Sequence, residues 1–179
     1  MGKKVLVLSS SPRLGGNSDT LCDQFVRGAQ ESGNDVEKIF LKDMCIHYCQ
    51  GCGTCYDRRT PCPQEDDMAE ILEKMVAADA IVMATPVYFY SISAQMKTLI
   101  DRCCAKITKI NHKDFYFILT CADSSLSSTG RALECFHGFL ESLDNVKEKG
   151  TICGMGTWQP EEIKQTSAFP QAYEAGKAV

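Results

Sequence analysis

The sequence has no apolar run of membrane-spanning length, so a helical span is not expected. It has no excess of positive charge. Nineteen Lys and Arg stand against 23 Asp and Glu, a formal charge of −4, and no basic run breaks that balance. A nucleic-acid partner is therefore not expected, because phosphate binding draws on a positive field. Histidine is scarce, and His47, His112 and His137 share no ligand spacing. Each reads as a surface or capping residue rather than a catalytic one. No Ser-His-Asp set and no paired carboxylates stand out. G-x-G-x-x-G and G-x-x-x-x-G-K-S/T are both absent, which disfavours a dinucleotide fingerprint and a P-loop. Met1-Gly2-Lys3-Lys4 runs straight into a short apolar segment with no cleavage site, so no signal peptide is expected.

Cysteine, by contrast, is plentiful. There are eleven, and five lie between Cys45 and Cys62. A 179-residue chain with 44% hydrophobic residues can build a core without disulfides. A reducing cytoplasm is the expected compartment, and clustered cysteines there read first as metal or redox chemistry.

Strand and helix patterns alternate along the chain. Short, continuous apolar runs begin at Val5 and Ala80, as in central strands buried on both faces. Further strand patterns fall at 36–41, 115–120 and, weakly, 151–155. The stretch 36–41, interrupted by Glu37 and Lys38, reads as an edge strand. Between the strands, Leu21, Phe25 and Ala29 mark one helical stripe, and Met68, Ile71, Leu72 and Met75 mark another. Asn17 or Ser18 is the expected cap of the first helix, and Ser93 that of the third. A last helix is expected from near Pro160, broken or kinked at Pro170.

Five strand–helix units imply a parallel sheet with right-handed crossovers and helices on both faces. The expected fold is α/β, a three-layer sandwich with strand order 2-1-3-4-5, in a single domain over 1–179. A cysteine-rich insert occupies about 43–66. In such a fold ligands sit beyond the C-terminal strand ends where the order reverses. That points to the loops 9–17, 85–91 and 121–128.

The first loop, Ser9-Ser10-Ser11-Pro12-Arg13-Leu14-Gly15-Gly16-Asn17-Ser18, joins a buried strand to a helix N-terminus. Hydroxyls, an amide and backbone N–H groups there suit an anion, and Arg13 adds a charge-assisted donor. The second, Thr85-Pro86-Val87-Tyr88-Phe89-Tyr90-Ser91, offers three aromatics for a wall against a flat ring system.

These loops, with Gln95-Met96-Lys97-x-Leu99-Ile100-Asp101-Arg102, resemble the NAD(P)H-dependent FMN reductase family over about residues 3–120. The resemblance implies a flavodoxin-like fold and FMN as cofactor. It assigns Ser9, Ser11, Arg13, Asn17 and Ser18 to the FMN phosphate. It assigns Pro86, Val87, Tyr88, Phe89, Tyr90 and Ser91 to the isoalloxazine. Cys121, at the end of the fourth strand, joins the cofactor-binding candidates. Asp101 and Arg102 read as structural or interface residues. No residue is assigned a catalytic role, because the cofactor carries the chemistry.

Cys49-x-x-Cys52-x-x-Cys55-x6-Cys62 is a compact four-thiol run, with Gly51 and Gly53 allowing a tight backbone. Bacterial ferredoxins hold a 4Fe–4S cluster with a similar run. Among FMN reductase relatives the pattern resembles the iron–sulfur flavoproteins, which pair FMN with such a cluster. Zinc, a disulfide or free thiols are the competing readings. Cys22, Cys103 and Cys104 fall on helix faces and read as small core residues. The loop 121–128 departs from the glycine-rich loop those relatives carry.

Two functions follow as expectations. One is an oxidoreductase that takes electrons from NAD(P)H through FMN to a small acceptor or to the cluster. The other is an electron carrier serving protein partners without oxidising nicotinamides. The family resemblance also implies a homodimer or higher homo-oligomer.

Overall fold

The computed structural model describes residues 2–57 and 60–179; Met1, Arg58 and Arg59, the last two inside the cysteine-rich insert, lie outside the described residues. Five strands form one parallel sheet in the order β2-β1-β3-β4-β5. They are β1 (Lys4–Ser9), β2 (Asp35–Phe40), β3 (Ala80–Pro86), β4 (Asp114–Thr120) and β5 (Lys147–Gly154). The helices are α1 (Asn17–Glu31), α2 (Met68–Ala77), α3 (Ala94–Arg102), α4 (Ser127–Leu140) and α5 (Ala168–Lys177). This is the expected flavodoxin-like order, with β2 at an edge.

Side-chain alternation along the strands divides the core into two layers. Leu6, Leu8, Ile81, Met83, Phe115 and Phe117 face α2, α3 and α4. Val5, Val7, Ala80, Val82, Tyr116 and Ile118 face α1 and α5. The central strands are buried on both sides, which is why they read as unbroken apolar runs.

On the second face, α1 and α5 approach at two glycines. A Cβ at Gly28 would stand 2.1 Å from the Tyr173 carbonyl oxygen. A Cβ at Gly176 would stand 2.1 Å from the Phe25 carbonyl oxygen. Only glycine permits this approach.

Two expectations about helix ends are corrected. Neither Asn17 nor Ser18 caps α1; both lie inside it, and the cap is Gly16, which contributes no side-chain acceptor. The last helix does not begin near Pro160. Glu161 adopts a left-handed conformation (φ 74°), a short 3-10 turn follows, and α5 starts only at Ala168. Pro170 then falls in its first turn, where a missing N–H costs no helical bond, so it does not break the helix. Ser93, by contrast, caps α3 as expected, accepting from the Met96 N–H.

Candidate functional site

The strand order reverses between β1 and β3, and the loops after them are fastened together there. Ser10 Oγ donates to the Ala84 carbonyl at 2.8 Å. Ser93 Oγ donates to Ser10 Oγ at 2.8 Å, and the Ser93 N–H donates to Thr85 Oγ1 at 2.9 Å. These hydroxyls are buried and paired, so they hold the two loops in register. Ser9 is equally buried. Its hydroxyl donates to Asp19, which also accepts the Gly15 N–H and pairs with Lys38 at 2.5 Å.

Above this floor lies a cleft of about 170 Å³. The first loop contributes Ser11, Arg13, Gly16, Asn17 and Ser18; the second contributes Pro86, Val87 and Tyr88. Thr120 and Ala122 come from the end of β4, and Thr157 and Trp158 from the loop after β5. α1 starts at the cleft without a side-chain cap, so its first-turn N–H groups have no side-chain acceptor. Such a helix end favours an anion.

Three buried side-chain polar atoms have no hydrogen-bond partner among the described residues: Asn17 Oδ1, Thr157 Oγ1 and Arg102 Nε. The first two belong to the cleft wall. Buried polar groups are nearly always paired, so two orphans on one wall indicate a polar ligand. The cleft thus fits FMN: an uncapped helix end with Ser11, Ser18 and Arg13 for a phosphate, orphaned polar atoms, and Tyr88 and Trp158 for a ring.

Five of the sequence-derived cofactor residues do not line this cleft. Ser9 is turned into the floor. Phe89, Tyr90 and Ser91 complete a tight two-residue turn, with Tyr88 and Ser91 exchanging N–H···O bonds at 2.9 and 3.0 Å. Phe89 (φ 50°) and Tyr90 (φ 63°) are both left-handed, and Phe89 is 100% exposed. Two bulky residues in that region store on the order of 1–2 kcal/mol each, a strain that concentrates at functional sites. Cys121 is buried, its N–H bonded to the Gly154 carbonyl. Thr157 and Trp158 escaped sequence reasoning, which weighed only the loops after strands one, three and four. The signal was present: the lone tryptophan lies two residues beyond a Gly-x-Gly turn at the end of a strand.

A second candidate site lies in the cysteine-rich insert. Cys49, Cys52, Cys55 and Cys62 all line one cavity of about 60 Å³, together with Asp101, Arg102 and Cys104. Gly51 (φ 63°) and Gly53 (φ 78°) supply the left-handed turns that bend the loop around it. Among the described residues no three His, Cys, Asp or Glu side chains already stand in metal-binding geometry. The donor set nevertheless suits a soft metal centre: four thiols around one cavity, with a buried cation beside them. Cys45 lies outside, its N–H bonded to Asp67.

Cys22 and Cys103 are buried core residues as expected, but Cys104 is not. It turns into the cysteine cavity beside Cys55, whose thiol is pushed up to about 11 by burial and then by Cys104. Asp66 lies just before α2, where a carboxylate ordinarily serves only as a charge at the helix start. Its side chain is 0% exposed and forms a two-point pair with Arg102 at 2.7 and 3.0 Å. Burial works against its ionisation, but Arg102 and the His47 and Met68 N–H groups outweigh that and hold it below the usual carboxylate range.

A parallel sheet with a polar cleft at its switch point defines a nucleotide-binding α/β protein of the flavodoxin type. The NADPH-dependent FMN reductase family matches residues 3–138, and the chain belongs to that family, in its iron–sulfur-flavoprotein-like branch. It is 40% identical over 99 residues to an iron–sulfur flavoprotein of Archaeoglobus fulgidus, covering 55% of this chain and 44% of that protein. It is 39% identical over 99 residues to an iron–sulfur flavoprotein of Methanosarcina thermophila, covering 55% and 51%. The chain thus spans about half the length of these curated relatives. An azoreductase from Bacillus anthracis superposes with a TM-score of 0.79 at 15% identity, over 99% of this chain and 100% of that one, a likeness of fold alone.

Proposed function

We propose that this chain is a single-domain FMN-dependent oxidoreductase that takes electrons from NAD(P)H and delivers them to a small acceptor or to an iron–sulfur centre. The observation that carries the reading is the pair of orphaned polar atoms, Asn17 Oδ1 and Thr157 Oγ1, on a cleft at the switch point. FMN, when bound, accepts a hydride and releases electrons singly or in pairs. The protein's own residues bind and orient it. Ser11, Arg13, Asn17 and Ser18 hold the phosphate end at the start of α1. Pro86, Val87 and Tyr88 flank the ring, with Trp158 across the cleft. The strained turn at Phe89, Tyr90 and Ser91 forms the rim, where a nicotinamide docks. Ser9 and Cys121 support these loops from beneath.

Cys49, Cys52, Cys55 and Cys62 are the proposed ligands of a 4Fe–4S cluster, which when bound supplies a one-electron relay. The four thiols on one cavity wall support this over separated zinc knuckles. Exposed Leu14, Phe89, Leu126 and Trp158 favour a homodimer that covers this edge of the sheet. A reducing cytoplasm suits eleven free thiols. Among the described residues no helix is long and apolar enough to cross a membrane.

The test is anaerobic addition of NADH or NADPH to protein reconstituted with FMN. Bleaching of the flavin absorbance within turnover times supports the reductase. A flavin that dithionite bleaches but neither nicotinamide does would overturn it in favour of an electron carrier.

A further inference from the structure

Arg102 ends α3, and its side chain is 2% exposed. Three of its five N–H groups are bonded. Nη1 donates to the His47 carbonyl at 2.6 Å and to Asp66 Oδ2 at 2.7 Å, and Nη2 donates to Asp66 Oδ1 at 3.0 Å. Those bonds tether both ends of the cysteine-rich insert, at His47 and Asp66, to α3. They account for the structural part of its role.

Nε–H and the second Nη2 N–H are left over. Nε is buried and has no hydrogen-bond partner among the described residues, Arg102 lines the cavity shared by Cys49, Cys52, Cys55 and Cys62, and Cys62 is the thiol that acts on its guanidinium. A planar guanidinium clamped on one edge has fixed directions for its remaining N–H groups. The orphan is therefore held in place, not free to turn elsewhere.

We propose that Arg102 is a positioning residue of the four-cysteine site, whose Nε–H donates to a sulfur of the centre bound there and raises that centre's reduction potential. The inference rests on the iron–sulfur reading above. Its physics is that of a partner outside the ligand set: hydrogen bonds to sulfur and nearby charge set the potentials of such centres. Reduction adds one negative charge, and a fixed N–H dipole on a buried cation stabilises the more negative form. Asp101 also lines the cavity, but it is paired with Lys97 and is 43% exposed, so it opposes the effect only weakly.

The experiment compares wild type, Arg102→Gln and Arg102→Lys, purified anaerobically and reconstituted with iron and sulfide. Iron and acid-labile sulfide are counted, thermal unfolding is recorded, and the midpoint potential is read by a titration followed by electron paramagnetic resonance. Arg102→Gln is expected to lower the potential by at least the 59 mV that equals a tenfold change for one electron. Arg102→Lys keeps the charge without Nε, and is expected to fall between the two. If Arg102→Gln does not fold, Arg102→Lys decides on its own. Wild-type potential in the centres that the variants retain, or folded variants that load no iron, would overturn the role of Arg102 and leave the cluster standing. A wild-type protein that holds neither iron nor sulfide would overturn the cluster reading itself, and this inference with it.

Discussion

Thr157→Val removes one hydroxyl and keeps the shape of the side chain. That hydroxyl is buried and has no hydrogen-bond partner among the described residues. An unsatisfied buried polar group costs about 1–3 kcal/mol, so the variant without FMN should be more stable by about that amount. For a chain of this length each kcal/mol is roughly 2–4 °C in Tm. With FMN bound, the wild-type hydroxyl gains a partner worth about 0.5–1.5 kcal/mol net, which valine cannot provide. Around the thermodynamic cycle the two effects add in the binding step. Even their lower ends sum to about 1.5 kcal/mol, which weakens FMN binding about tenfold. The assay pairs differential scanning calorimetry of the stripped protein with a fluorescence titration of FMN. A variant that loses stability without FMN and binds FMN as wild type does would refute the argument that the orphaned hydroxyl marks the ligand.

Arg13→Ala should weaken FMN by about 1.5 kcal/mol or more, the low end for a charge-assisted bond, and the loss should shrink at high salt; isothermal titration at two ionic strengths measures it. Asp66→Asn strands the buried Arg102 charge and should cost about 3–5 kcal/mol at pH 7 in a urea melt. Because the folded-state pKa of Asp66 is depressed, its stabilisation is fully present above the unfolded value of about 3.9. It disappears as pH falls through the lower folded value, so the gap between wild type and variant should close only in that acid range. Gly28→Ala drives a methyl into the Tyr173 carbonyl on α5 and should destabilise by about 1–3 kcal/mol, read as a lower Tm in the absence of ligand.

The sheet was legible because its central strands are apolar on both faces. Val5 to Leu8 and Ala80 to Ala84 cannot be solvent-facing in any arrangement, and the regular helix stripes between them dictate parallel crossovers. The place of the cleft was legible too, since Ser and Gly cluster where β1 meets α1, but its floor was not: Ser9 reads as a phosphate ligand and is instead turned toward Asp19. What stayed hidden depends on tertiary contacts. Thr157 and Trp158 reach the cleft only because β5 lies beside β4 and returns its loop to the same edge. Cys104 follows Cys103 directly, yet one is core and the other faces the cysteine cavity, because α3 tightens into a 3-10 turn at that point. Asp66 looks like an ordinary helix-start charge until Arg102 arrives from 36 residues away. The start of α5 was misplaced because the left-handed Glu161 depends on the path of the loop and has no sequence signature comparable to glycine.

The most direct test of the account is an anaerobic absorption spectrum of freshly purified protein beside that of Cys52→Ala. Flavin bands on a broad charge-transfer shoulder, with the shoulder alone lost in the variant, are the predicted result. A wild-type protein without flavin bands, even after FMN is added, would contradict it.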